Sequence, residues 1–220
     1  NVANINPAAF VDGVFQTHLY TGTGSALTIT NNIDLTKGGL VWTKRRSSAN
    51  SNWFLDSVRG GNQIIRSNTT EAQFTSSGFE ITSFNSNGYT LGTASDINSS
   101  SQNDVSWTFR KQPKFFDVVT YTGTGSAQAI SHNLGSVPGM IIVKLTSGSD
   151  AWHVYHRGLN GGSSPEDYYL QLNSTDAEID NATIWNDTAP TSSVFTVGTN
   201  GGVGADGETY VAYLFAHNND

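Results

Sequence analysis

Carboxylates offer the most familiar chemistry in this sequence, because two of them held about 5–5.5 Å apart can hydrolyse a glycosidic bond. The nearest approach to such a pair is Glu178-Ile179-Asp180. A third carboxylate two residues further on would extend the pattern along one strand face, but that position is Ala182. Asp56, in the first half of the chain, meets no acidic counterpart in the second half. We therefore expect no catalytic carboxylate pair.

Histidines and glycine-rich turns are the next groups that could bind a metal or a phosphate. His153 and His156 fall on opposite faces of a strand, so they cannot hold one metal together. Asp206-Gly207-Glu208 lacks the ligand spacing of a calcium loop. The sequence predicts no catalytic residue, no metal site, no cofactor and no enzyme activity, and it identifies no receptor-binding residue.

Two Gly-Thr-Gly segments, at residues 22–24 and 123–125, are short forms of a phosphate-binding loop. Each lacks the third glycine and the following helix that such a loop needs. We expect a hairpin turn at both places. The segments also belong to a longer identity, since the string YTGTGSA at residues 20–26 recurs 101 residues later at 121–127.

Further segments of the two halves match in the same order, with offsets between 98 and 106 residues. Residues 68–72 (NTTEA) match 173–177 (NSTDA), and Trp53 is matched with Trp152. A unit of about a hundred residues can bury its own core, so this pattern indicates an internal duplication. The predicted boundaries are a lead-in arm at 1–13, a first repeat at 14–112 and a second at 113–220.

Short apolar runs and alternations, separated by Gly, Asn or Ser, predict seven or eight strands in each repeat. This count is typical of a β-sandwich. The predicted fold is all-β, with two tandem antiparallel β-sandwich domains of jelly-roll or concanavalin-like type. The strand at residues 140–143 is apolar on both faces and should be central. In the last strand of each repeat, the aromatic residues should point between the sheets, namely Trp107, Phe109, Tyr213 and Phe215.

The amino-acid composition limits the classes of molecule that this protein is expected to bind. The net charge of −7 argues against binding to nucleic acid, whose phosphates would be repelled. The one basic cluster, Lys44-Arg45-Arg46, is expected to be a solvated loop edge. Charged residues make up only 13% of the chain and there is no cysteine, so an uncharged polar surface and no disulfide are expected. No apolar run is long enough to span a bilayer, which predicts no membrane insertion.

The repeated motifs also resemble a known family. In the first repeat the carrying strings are LVWTK at 40–44, LDSVRG at 55–60 and FNSNGYTLG at 84–92. In the second they are ISHNLG at 130–135, VPGMIIVK at 137–144, WHVYHR at 152–157, WNDTAPTS at 185–192 and YVAYLFA at 210–216. Together they cover about residues 14–217. They resemble a tandem β-sandwich domain of uncharacterised function, found in tail-fibre and other virion structural proteins of tailed bacteriophages, often those of marine bacteria.

This resemblance implies a sandwich fold in a virion appendage and brings no known catalytic or binding residue. One departure is Ser106-Trp107-Thr108, where the family tends to have an alanine and a second tryptophan, and it concerns packing only. The leading hypothesis is a virion structural protein, a fibre, spike or surface decoration on the exterior of the particle that contributes to host attachment. Its partners would be other virion proteins and copies of itself, with host-surface glycan as a further candidate.

Two alternatives come from other classes of protein. The first is a lectin-like module that binds carbohydrate through exposed loop aromatics such as Tyr168 and Tyr169. The second, weaker alternative is an enzyme that trims surface glycans. Saturable glycan binding would favour the first alternative, and turnover of capsular polysaccharide would favour the second.

Overall fold

The computed structural model describes residues 11–77 and 80–217, which form 17 strands and three short α-helices. All strand pairs are antiparallel, and no sheet closes into a barrel within these ranges. The predicted all-β, sandwich-type fold is confirmed. Most of the predicted lead-in arm, 1–13, lies outside the described residues.

Two compact units divide the chain. Unit 1 comprises Asn1–Ile64 and Phe74–Lys111, and unit 2 comprises Ile65–Gln73 and Gln112–Asp220. Two parts of the predicted first repeat, residues 65–73 and Gln112, belong to unit 2 in this division.

Unit 1 pairs a six-stranded sheet with a three-stranded one. The large sheet has the order β1-β9-β3-β4-β5-β6 and the small one the order β2-β8-β7. One helix, α1, follows β8. The elements are β1 (Phe15–Thr21), β2 (Leu27–Thr30), β3 (Gly39–Arg45), β4 (Asn52–Asp56), β5 (Gln63–Arg66), β6 (Phe74–Thr75), β7 (Ile81–Asn85), β8 (Gly88–Leu91), α1 (Ser95–Asn98) and β9 (Asn103–Arg110).

Unit 2 has a large sheet with the order β10-β17-β12-β13-β14-β15 and a small sheet of β11 and β16. Its elements are β10 (Phe116–Thr122), β11 (Gln128–Ser131), β12 (Pro138–Leu145), β13 (His153–His156), β14 (Tyr168–Gln171), β15 (Ile179–Asp180), α2 (Ala182–Trp185), β16 (Val194–Val197), α3 (Gly201–Gly204) and β17 (Thr209–Ala216). The strand order of the large sheet is the one found in unit 1, which is what an internal duplication would produce.

The register of the central strands corrects one predicted equivalence. Thr43 pairs with Trp53 in unit 1, and Val143 pairs with His153 in unit 2. His153 therefore occupies the position of Trp53, and Trp152 lies one residue earlier. The prediction for residues 140–143 is confirmed, because β12 lies between β17 and β13 and its Ile141, Ile142 and Val143 are buried.

The predicted direction of the last-strand aromatics is wrong. In unit 2 the core cluster contains Tyr210, Ala212 and Leu214, so Tyr213 and Phe215, which alternate with them, lie on the other face of β17. In unit 1, Ser106 and Thr108 alternate with Trp107 and Phe109, and they pair with the core-facing strand β3 at Thr43 and Val41. Small and hydroxylated side chains thus occupy the core face of β9.

The two glycine segments form the same structure twice, and it is not the predicted hairpin. The strands that they join, β1 to β2 and β10 to β11, lie in different sheets. Gly24 N donates to Asn98 O and Gly125 N donates to Gly204 O, both at 2.8 Å. Each segment therefore closes over the end of a short helix. A Cβ on Gly22 would lie 2.3 Å from Ser99 O, so only glycine permits this approach.

Candidate functional site

The residues singled out for chemistry are not brought together. Glu178 is exposed and its Oε2 accepts a hydrogen bond from Asn160 N at 2.8 Å. Asp56 is buried at the end of β4, where it pairs with Arg59 at 2.6 Å. His153 is buried and His156 is exposed. Within residues 11–77 and 80–217, no group of three or more His, Cys, Asp or Glu could hold a metal ion, and no helix is long and apolar enough to cross a membrane.

The aromatic residues proposed for sugar stacking divide into one buried and one accessible ring. Tyr169 is only 8% exposed and belongs to the core of unit 2, with its ring 5.3 Å from that of His153. It therefore offers no stacking surface, which corrects the expectation. Tyr168 is half-buried at the start of β14 and directly follows Glu166 and Asp167 in the chain. Burial raises the pKa of Asp167, and the negative charges of Asp187, Glu166 and Asp180 raise it further.

The most developed polar site in unit 2 holds a loop by its backbone. We call residues 67–73, which connect β5 to β6, the first loop. Trp152 Nε1 donates to Arg66 O at 3.2 Å and to Thr69 O at 3.0 Å. Lys144 Nζ donates to Thr70 O at 3.3 Å, and Asp150 N donates to the same oxygen at 2.9 Å. We call Lys144, Asp150 and Trp152 the clasp.

The strand register positions these donors. Lys144 is near the end of the central strand β12, while Asp150 and Trp152 stand in the connection to β13, which returns alongside it. Trp152 and Lys144 are fully buried, so their bonds form in a medium of low polarity. Because the acceptors of these four bonds are all backbone carbonyls, the four bonds depend on the path of the first loop rather than on its side chains.

Burial sets the electrostatics of the clasp. It lowers the pKa of Lys144 to about 8, although the charge of Asp150 acts in the opposite direction. Burial also lowers the pKa of His153, again opposed by Asp150. The imidazole lies beneath helix α3, and a Cβ on Gly202 would come within 2.2 Å of its Cε1. Gly202 therefore makes room for His153, and the Lys144 amine is engaged as a hydrogen-bond donor, including to Leu145 O at 2.7 Å.

Unit 1 carries a related but different arrangement. Lys44 lies at the position of Lys144, and its Nζ donates to Asn50 O. The expected solvated basic cluster is only partly solvated: Arg46 is exposed, whereas Arg45 donates to Asp96 O at 3.0 Å and lies 3.6 Å from Asp104. Asp104 is 1% exposed, and burial raises the pKa of its carboxyl to about 6, with Arg45 opposing this effect.

Sequence reasoning missed the clasp. The available signal was a lysine directly after the apolar run at 140–143, at a position where an apolar residue would continue the buried strand. A lysine there must find acceptors for its ammonium protons. Its partner in the first loop, Thr70, lies 74 residues earlier in the chain, and no local pattern indicates this contact.

Comparison with known proteins gives one clear result. A family model described as Domain of unknown function (DUF7483) matches residues 12–219. No curated protein matches significantly. A solved structure described as "Crystal Structure of the STIV MCP" is similar over 92% of this chain and 85% of that chain, with 8% identity and a TM-score of 0.24, which carries no argument about fold or function. With nearly its whole length matched, the chain belongs to the DUF7483 family, a domain of unknown function.

Proposed function

We propose that this protein is a structural component of a tailed-bacteriophage virion, a fibre, spike or surface decoration that contributes to attachment to the host cell. The observation that carries the proposal is the presence of two sandwich units with one strand order in a single chain. Such a chain presents similar surfaces twice, and many copies on a particle turn weak contacts into durable ones. The resemblance of the repeated motifs to tail-fibre domains supports the same assignment.

The surface composition also suits this role. Only 13% of the residues are charged, so closely placed copies repel one another little. The proposed location is the exterior of the virion, and the proposed partners are other virion proteins and copies of the same chain. No nucleic acid, no membrane insertion and no cofactor form part of the proposal.

The test is electron microscopy of intact particles labelled with an antibody to this chain. The proposal predicts label on the particle exterior, with particles treated with pre-immune serum as the control. Label restricted to lysed host cells would contradict it. The protein is also proposed to be no enzyme, and turnover of purified capsular polysaccharide by the purified chain would overturn that part.

A glycan-binding role is the second candidate, favoured by the half-buried Tyr168, which directly follows the acidic residues Glu166 and Asp167 in the chain. An aromatic face next to hydrogen-bond acceptors suits the apolar and hydroxyl faces of a sugar. On an array of bacterial glycans, Tyr168→Ala should abolish saturable binding. Val137→Ala, which alters an exposed residue elsewhere in unit 2, should leave binding unchanged. Equal binding by both variants would eliminate Tyr168 as the platform.

A further inference from the structure

The chain contains a second loop that matches the first one held by the clasp. Residues 172–178, which connect β14 to β15, we call the second loop. Both loops join the fifth and sixth strands of the same sheet order, and both have seven residues, SNTTEAQ in the first and LNSTDAE in the second. Five of the seven positions are identical or differ conservatively in the central run, from Asn68 and Asn173 to Ala72 and Ala177.

The two loops also share one internal structure. Thr69 N donates to Arg66 O, and Ser174 N donates to Gln171 O, each at 3.2 Å. In the first loop the Thr69 hydroxyl donates to Glu71, and in the second the Ser174 hydroxyl donates to Asp176 at 2.6 Å. The second loop therefore has the same internal hydrogen bonds as the first loop, whose carbonyl oxygens accept hydrogen bonds from the clasp.

The surroundings of the two loops differ. The first loop is held by the clasp, and Gln73 N adds a bond to Thr146 O at 2.9 Å. The second loop is exposed from residue 175 to residue 178; its first residue, Leu172, is 39% exposed, and Ile179, which follows the loop, is 40% exposed. Among the residues that the structure describes, no donor reaches the carbonyl oxygens of Ser174 and Thr175. The second loop is held at its start, where Leu172 N donates to Trp152 O at 3.0 Å and Trp152 N donates to Asn173 Oδ1 at 2.9 Å. It differs from the first loop in its middle, where the carbonyl oxygens that correspond to those bound by the clasp are left open.

A partial counterpart of the clasp stands in unit 1, in the connection between β3 and β4, where Asn52 takes the place of Trp152. Lys44 corresponds to Lys144 and Asn50 to Asp150, at a constant offset of 100 residues through the paired strands. This connection begins with the exposed Arg46, while Lys44 and Arg45 at the end of β3 already bond to Asn50 O and to Asp96 O within unit 1. The second loop and β15 are acidic, with Asp176, Glu178 and Asp180. The signs are complementary, which favours association of the two surfaces.

We propose that the second loop of one copy docks on the β3–β4 connection of a second copy, so that copies of this chain associate head to tail. The inference rests on the proposed structural function and names the partner as another molecule of the same chain. Because the two contacting surfaces differ, the contact is heterologous and leaves one of each surface open for further copies. The bonds would run from the receiving connection to the carbonyl oxygens of the second loop.

The experiment uses the full chain and two charge-reversed variants. The acidic surface is reversed by Asp176→Lys with Asp180→Lys. On the receiving surface, Arg46→Glu reverses the exposed basic residue and Ala49→Glu adds a second negative charge. All four positions are exposed. Sedimentation velocity over a wide concentration range reports association, and circular dichroism confirms that each variant is folded. Wild-type association should weaken as salt is added, because exposed charges are screened.

Each variant alone should associate about tenfold or more weakly than wild type, because like charges then meet. A one-to-one mixture of the two variants should associate again, because both contacts become complementary in the mixture. A wild-type chain that stays monomeric, or a mixture no more associated than its parts, would overturn the inference. Neither result depends on the labelling of virions. A chain that is monomeric in solution but present on particles would contradict this inference and leave the proposed function intact. Absence of label on particles would contradict the proposed function and leave the measured association unchanged.

Discussion

The clasp predicts a specific loss of protection when Trp152 is replaced by phenylalanine. The indole is fully buried, and its Nε1 donates to both Arg66 O and Thr69 O. Phenylalanine keeps most of the ring but removes the donor, which leaves two carbonyl groups without this partner. Leaving buried polar groups unsatisfied costs about 1–3 kcal/mol. A local loss of about 2 kcal/mol corresponds to roughly 30-fold faster hydrogen exchange in the affected segment.

Hydrogen exchange followed by mass spectrometry measures this loss directly. The reporting amides are Gln73 N and Asp150 N, which bond to Thr146 O and Thr70 O across the clasp. Trp185→Phe is the matched control, because Trp185 is also buried in unit 2 and its Nε1 donates to Tyr168 O at 3.1 Å, away from the first loop. The control should lower the protection of the unit as a whole without singling out residues 65–73. Equal exchange of that segment in both variants would refute the reasoning.

Three further predictions concern buried groups. Lys144 has a pKa of about 8 in the folded protein, below its unfolded value, so the unfolded chain binds more protons between pH 8 and pH 10.5. The free energy of unfolding should therefore rise by about 3 kcal/mol across this pH window. Urea titrations measure the rise, and Lys144→Met should remove it. Asp104 has a folded pKa raised to about 6, so its contribution to stability should fall by about 3 kcal/mol as pH rises from 4 to 7, and Asp104→Asn should flatten this slope in the same assay. Gly202→Ala should lower the free energy of unfolding by about 2 kcal/mol or more, because the new Cβ would lie 2.2 Å from His153 Cε1. Gly201→Ala is the control, because its Cβ would meet nothing within 4 Å and should change the melting temperature little. Equal melting temperatures of the two variants would contradict the packing of His153 against Gly202.

The sequence predicted the fold class well because strand signals are local. The run at residues 140–143 is apolar at every position, which identifies a strand buried on both faces without knowledge of its neighbours. The direction of Trp107 could not be read in this way. Period-two alternation separates two faces, but it does not say which one meets the core, and hydrophobicity alone favoured the wrong one. In unit 1 the core face of β9 carries Asp104, Ser106 and Thr108 instead.

The site was less predictable than the fold because its contacts are distant in sequence. The match between residues 68–72 and 173–177 is visible in the sequence as a repeat. Only the structure shows that the clasp binds the backbone of the first copy, whereas residues 175–177 of the second copy are exposed. The motif strings that contain Lys144 and Trp152 did not indicate the clasp. Its acceptors are backbone carbonyls, which every residue carries, so the residue types of the first loop do not reveal them.

A cryo-electron microscopy map of the assembled particle tests the central claim most directly, namely that this chain is a building block displayed in many copies on a virion. The account predicts density for both sandwich units at repeated positions on the particle exterior, with residues 172–178 of one copy against residues 44–52 of its neighbour. A complete map of the particle without density for this chain would contradict the account.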